Sequence, residues 1–209
     1  MKSNAAPKLE LPPHVPVMFL SNVVLLPHVL LPLYIFEPRY RAMLAHSLET
    51  HRMFCVALMK PGISEVRQPT DFFPACGLGL VRACVSHEDG ASHLILQGLA
   101  RVHIRRFVQE RPYKIAEVCE LPAQGGAPES CQPLAAKLRS LCTELTPGTE
   151  HREKLEEQIA QITEPAMLAD VVAHTFLRAP ERQQEVLTAL DVEERLRLVI
   201  RHLREESAG

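Results

Sequence analysis

The stretch Val15-Pro16-Val17-Met18-Phe19-Leu20-Ser21-Asn22-Val23-Val24-Leu25-Leu26-Pro27-His28-Val29-Leu30-Leu31-Pro32-Leu33-Tyr34-Ile35-Phe36 decides between two architectures. It is long and apolar enough for a helix that crosses a bilayer. Pro16, Pro27 and Pro32 forbid that helix, because each removes a backbone donor and clashes with the turn before it. Extended chain accepts prolines more readily, so residues 15–20 and 30–36 read as buried strands. Pro38 follows where a first helical turn tolerates it, opening a helix over 39–49.

Further strands are expected at 54–59, 77–86 and 93–99. The last two flank Glu88-Asp89-Gly90, a turn sequence suited to an antiparallel hairpin. Val102 and Ile104 alternate with Arg101, His103 and Arg105. The phase then slips so that Phe107 joins the arginines, which predicts a bulge at Arg105 and Arg106. A strand over 113–121 ends this part.

Beyond residue 131 the period becomes helical. Leu134, Leu138, Leu141, Cys142 and Leu145 share one face, ended by Pro147-Gly148, and Leu155, Ile159 and Ile162 share another. With Thr163 as N-cap and Pro165 in the first turn, Leu168, Val171, Val172 and Phe176 form a third stripe, stopped by Pro180. Asp191 and Glu194 make a capping-box variant ahead of Val192, Leu196, Val199, Ile200 and Leu203. Such stripes most simply cover one another as a bundle. The fold class is therefore α+β: a β-rich unit with one helix over 13–122, a linker over 123–131 and a helical bundle over 132–206.

The 209 residues are 46% apolar and 23% charged, which excludes disordered, collagen-like and mucin-like chains. A formal net charge of -2 gives no bulk attraction to phosphate backbones or anionic lipid. Six cysteines without a Cys-x-x-Cys pair, and no signal-type apolar run in Met1 to Pro13, point to free thiols in a reducing cytosol. The chain is expected to be soluble and cytoplasmic, with no membrane partner.

No phosphate loop and no dinucleotide fingerprint occurs, so no cofactor is assigned. Gly77 and Gly79 read as strand glycines that let the sheet bend or be approached closely. His87 and His93 flank an acidic turn that reads as an exposed polar loop, and no metal site is assigned. No catalytic residue is assigned either. Cys55, Cys84, Cys119 and Cys142 fall in apolar runs and read as small buried hydrophobes, while Cys76 and Cys131 lie nearer loops and keep the option of reactivity.

Two surface features remain. In Pro69-Thr70-Asp71-Phe72-Phe73-Pro74 adjacent aromatics in a loop cannot both point inward with strand geometry. One of them could be exposed as an apolar contact, while a loop folded back over the sheet edge is the plainer reading. The run Arg101, His103, Arg105, Arg106, Phe107, Arg111, Tyr113, Lys114 could hold RNA by phosphate contact and stacking. Glu110, Glu117 and Glu120 dilute it, and a solvated sheet face is the plainer reading.

The opening stretch, continued through Glu37-Pro38-Arg39-Tyr40, resembles the start of the N-terminal substrate-binding domain of Lon proteases. Gly77-Leu78-Gly79, Gly98-Leu99-Ala100-Arg101, Glu110-Arg111-Pro112-Tyr113, Leu168-Ala169-Asp170 and the run from Leu187 to Leu196 resemble later family positions in the same order. The resemblance covers about residues 13 to 206. It implies a PUA-like β pseudo-barrel followed by a helical bundle. A complete Lon enzyme continues into an ATPase and a Ser-Lys peptidase. This sequence reaches Gly209 with neither, so the resemblance implies a stand-alone, non-enzymatic member, similar to the module within cereblon. One departure is His28, where the family often has Gly; a side chain disfavours positive φ, so that turn is expected to differ.

The leading expectation is a non-catalytic module that captures unfolded or apolar polypeptide segments, as an adaptor or regulator of proteolysis. Its partner would be a protease or another proteostasis protein. Phe72 and Phe73 are the candidate contacts, with Met18 and Phe19 behind them because their strand reads as buried. The alternative is a PUA-like RNA-binding module using Arg105, Arg106, Arg111, Tyr113 and Lys114, against which the near-neutral charge speaks.

Overall fold

The computed structural model describes residues 11–146 and 148–207, apart from the side chains at 149 and 151. The reading of the N-terminal segment up to residue 10, and Pro147 as a helix stop, lie outside the described residues. The elements run β1 (His14–Leu20), β2 (Leu30–Ile35), α1 (Pro38–Glu49), β3 (Met53–Leu58), β4 (Ala75–Ser86), β5 (Ser92–Gln109), β6 (Lys114–Glu120), α2 (Pro128–Leu145), α3 (Thr149–Ala160), α4 (Pro165–Phe176), α5 (Pro180–Thr188) and α6 (Val192–Ser207). A 3-10 turn, Pro69–Asp71, precedes β4.

The strands lie in the order β2-β5-β4-β3-β1-β6, and β6 returns to pair with β5. Five strands thus close a ring, with β2 attached outside it on β5. Closure depends on the length of β5, whose 18 residues unite what reads in sequence as two segments. Its first half pairs with β2 and β4, its second half with β6, and the register slips between Ile104 and Arg106 at the anticipated bulge. The parallel pair β1 and β3 completes the mixed sheet.

Two apolar clusters follow from the closure. Val15, Val17, Phe19, Cys55, Phe72, Cys76, Leu78, Val102 and Ile104 fill the ring. The larger cluster joins the outer sheet face, α1, residues 24–29 and the helical bundle. Residues 24–29 reach that face because the strand glycines admit them. A Cβ on Gly77 would stand 1.9 Å from the Leu25 carbonyl oxygen, and one on Gly98 would stand 2.0 Å from that of Leu26.

The side chain at His28 does not keep that turn out of positive φ. His28 adopts φ 68 and its N–H donates to the Gly98 carbonyl at 2.9 Å, so a non-glycine residue is held in left-handed backbone. Other boundaries shift slightly. α2 opens at Pro128, inside the stretch read as linker, and Glu164 rather than Thr163 stands before α4. Asp191 caps α6 as anticipated, its Oδ1 accepting from the Glu194 N–H at 2.9 Å.

Barrel and bundle are joined by buried polar groups that periodicity does not reveal. Arg101 on β5 donates to both carboxylate oxygens of Asp170 on α4, at 2.9 and 2.5 Å, and to the Leu187 carbonyl at 2.9 Å. Arg195 on α6 reaches the same carboxylate at 3.6 Å and donates to the Ala189 carbonyl at 2.8 Å. Burial pushes the Arg195 guanidinium down to about 10, with Asp170 pulling it back up and Arg101 lowering it further. Arg101 is therefore absent from the basic face that the sequence assigned it to.

Candidate functional site

The structure turns the first set of predicted contacts inward. Phe72 is 2% exposed and packs against Phe19 at 5.1 Å and Phe107 at 5.8 Å between ring centroids, plugging the barrel. Met18 and Phe19 are buried, as their strand suggested. Phe73 is half-buried, with the Lys60 ammonium 5.9 Å from its ring. The loop folds back over the sheet because Asp71 accepts from the backbone N–H groups of Arg67 and Gln68 at 2.8 and 2.9 Å. Those hydrogen bonds hold its carboxyl below the usual carboxylate range.

Exposed apolar surface lies elsewhere, on the face of the β2-β5-β4 segment that points away from the larger cluster. Register places three rows across it: Tyr34–His93–Val85, Pro32–Ile95–Ala83 and Leu30–Gln97–Leu80. Leu30, Tyr34, Phe36 and Val85 are 57%, 48%, 60% and 62% exposed. The Tyr34 ring stacks on Phe36 at 5.8 Å and lies 4.6 Å from the His93 ring. A depression of about 400 Å³ runs over this platform. Sequence reasoning missed it because β2 is apolar on both faces, so alternation cannot tell platform from core. Pro32 was the available signal, since proline in a strand marks a sheet edge.

A second concavity, about 760 Å³, opens where β1, α1, residues 64–67 and the β5–β6 turn meet. Val17, Phe19, Tyr40, Met59 and Tyr113 give it apolar walls, and Arg39, Arg67, Arg111, Lys114, Glu65 and Glu110 charge it. Its position follows from strand lengths. β6 pairs with β1 only as far as Val17, so the Phe19 backbone lacks a strand partner on that side. The Tyr40 hydroxyl substitutes, accepting from the Phe19 N–H at 3.1 Å and donating to its carbonyl at 3.2 Å. Burial raises the Tyr40 phenol above its ordinary range, a rise that the Phe19 hydrogen bond opposes.

The five residues of the RNA alternative divide between two places. Arg111, Tyr113 and Lys114 line the cleft, whereas Arg105 and Arg106 stand exposed at the bulge outside it. Arg106 is tied to Glu117 at 2.7 Å, and Lys114 is paired with Glu110. The acidic neighbours thus engage two of the five.

Cys76 and Cys131 stand beside loops as expected, near the starts of their elements, but not at the surface. Both are buried, Cys76 on β4 inside the barrel and Cys131 on α2. Burial raises the Cys55 thiol well above its ordinary range, reinforced by Cys76 beside it, and pushes Cys142 up to about 12. Such thiols are poor nucleophiles. His87 and His93 meet across the hairpin at 2.6 Å, and no group of three metal-ligating side chains occurs among the described residues. No described helix is long and apolar enough to cross a membrane.

Comparison with known proteins gives a consistent family. The model of the ATP-dependent protease La (LON) substrate-binding domain matches residues 14–205. The Lon protease of Desulfosudis oleivorans is 30% identical over 200 residues, covering 93% of this chain and 24% of the relative. That of Roseiflexus castenholzii is also 30% identical, covering 94% and 25%. The chain thus spans about a quarter of the length of these curated relatives. Among solved structures, the N-terminal domain of a Mycobacterium avium complex Lon protease superposes with a TM-score of 0.73 at 19% identity, over 92% of this chain and 98% of that one. A Lon N-terminal domain protein from Xanthomonas campestris gives 0.65 at 20%, over 90% and 97%.

Proposed function

The chain belongs to the LON substrate-binding domain family, and we propose that it is a non-catalytic module that recognises polypeptide segments. The observation that carries this reading is the platform of Leu30, Tyr34, Phe36 and Val85, large apolar side chains gathered on one open sheet face. Side chains about half exposed gain roughly 1–1.5 kcal/mol each on being covered, about 4–6 kcal/mol in all before the costs of association. Capture is accordingly broad and modest in affinity. It suits an adaptor or regulator of proteolysis that delivers or withholds unfolded chains in the cytoplasm, with a protease or another proteostasis protein as its partner. The six free cysteines agree with a reducing compartment.

The platform takes the role first given to Phe72 and Phe73. The test is titration of a chemically unfolded polypeptide against wild type and the Tyr34→Ser, Phe36→Ser double variant. Both side chains are exposed, so the variant keeps the fold. We expect affinity to fall roughly tenfold with little dependence on salt. Unchanged affinity would remove the platform from the reading.

A further inference from the structure

The cleft beside Tyr40 carries chemistry that the apolar platform lacks. Four of its lining side chains are cationic, Arg39, Arg67, Arg111 and Lys114, against two carboxylates, Glu65 and Glu110. The cations come from three separate places: Arg39 from α1, Arg67 from the loop after β3, and Arg111 from the β5–β6 connection with Lys114 at the start of β6. Arg67 holds Glu65 through Nε at 3.0 Å and Nη2 at 2.9 Å, and Arg39 holds Glu37 at 2.8 Å. Lys114 is paired with Glu110, and Arg111 has no ion pair among the described residues.

We infer that this cleft is a second binding site, for a polypeptide segment that carries a carboxylate next to a bulky apolar side chain. The inference rests on the reading of the chain as a polypeptide-recognition module. The apolar part of the segment seats on Phe19, Tyr40, Met59 and Tyr113, and its carboxylate accepts hydrogen bonds from Arg111, whose planar fork matches a carboxylate bidentately. Glu65 is a carboxylate of the chain itself that lines the same cleft, hydrogen-bonded to Arg67. Its carboxyl is held below the ordinary range first by the Arg67 hydrogen bond and then by the Arg67 charge, with smaller contributions from Arg39 and Arg111. Arg67 hydrogen-bonds Glu65 and Arg39 is held by Glu37, so Arg111 is the guanidinium of the cleft without a carboxylate partner among the described residues.

Nucleic acid fits this arrangement less well. A phosphate ladder needs several free cations at the spacing of the backbone. Here Arg39, Arg67 and Lys114 already hold carboxylates, which leaves Arg111 as the one cation of the cleft without an ion pair among the described residues. One free guanidinium suits a single carboxylate. The cleft volume falls in the range of roughly 300–1,000 Å³ typical of ligand sites.

The experiment uses fluorescein-labelled peptides identical except at one position, Glu, Gln or Lys, between a Phe and a Leu, with a short oligouridylate alongside. Anisotropy is read at low and high salt on wild type, Arg111→Glu, Glu65→Gln and the Tyr34→Ser, Phe36→Ser variant. The Glu peptide should bind wild type more tightly than the Gln peptide, and Arg111→Glu should weaken it about tenfold while changing the Gln peptide less than about twofold. Glu65→Gln should tighten it severalfold, a gain that no folding defect imitates. Equal binding of the Glu and Gln peptides, or a Glu65→Gln variant that binds the Glu peptide no better, overturns the inference. Oligouridylate bound more tightly than the Glu peptide, with a steep salt dependence lost in Arg111→Glu, overturns it in favour of RNA. If acid preference is absent while the Tyr34, Phe36 variant alone loses polypeptide, the cleft fails and the proposed function stands. If wild type binds no polypeptide, both fall.

Discussion

Asp170→Asn removes one negative charge from a buried cluster of one carboxylate and two guanidiniums. The side chains of Arg101, Asp170 and Arg195 are 5%, 1% and 0% exposed, so water cannot replace the lost charge. Leaving a buried charge uncompensated costs about 3–5 kcal/mol. For a folded unit of this size each kcal/mol lowers Tm by about 2–4 °C, so the variant should melt roughly 6–20 °C below wild type. A second variant isolates the cause. Arg195→Met destabilises the wild-type background, because Arg195 also donates to the Ala189 carbonyl. On the Asp170→Asn background it should restore about 1–2 kcal/mol by removing a stranded cation. The assay is urea unfolding followed by circular dichroism on the four members of the cycle. A loss below about 1 kcal/mol for Asp170→Asn, or strict additivity across the cycle, would refute the reasoning.

Three other outcomes follow from particular residues. His28→Gly relieves left-handed backbone at φ 68 and should raise stability by about 0.5–1 kcal/mol in the same urea assay, after allowing for the entropy of glycine. Gly98→Ala places a Cβ 2.0 Å from the Leu26 carbonyl oxygen and should cost about 3 kcal/mol, with the largest amide chemical-shift changes at residues 25–29. The His174 imidazole is pushed below its ordinary range by burial, so the folded state binds fewer protons there than the unfolded state. Stability should therefore fall as pH drops below about 6.5, and His174→Leu should flatten that limb when urea midpoints are compared between neutral and mildly acidic buffer.

Much of the architecture was legible in the chain itself. Prolines at 16, 27 and 32 ruled out a spanning helix, Glu88-Asp89-Gly90 marked the hairpin, and the apolar stripe from Val192 to Leu203 marked the last helix. The slip at Arg105 and Arg106 announced a bulge that the register confirms. Each of these signals is local: a torsional restriction, a turn preference or a side-chain period that acts within a few residues. The family resemblance implied the same order of β-rich unit and helical bundle that periodicity gives, and the family match extends over residues 14–205.

The tertiary structure alone decided which apolar and charged residues face outward. Phe72 looked like a surface contact from its neighbours in sequence, yet barrel closure placed it against Phe19 and Phe107. Arg101 looked like one member of a basic run, yet Asp170, sixty-nine residues away, drew it inside. Tyr34 and Leu30 looked buried, yet β2 lies outside the closed ring and leaves one face open. In every case the outcome depends on pairing between distant segments, whose free energy appears only once the chain has closed on itself.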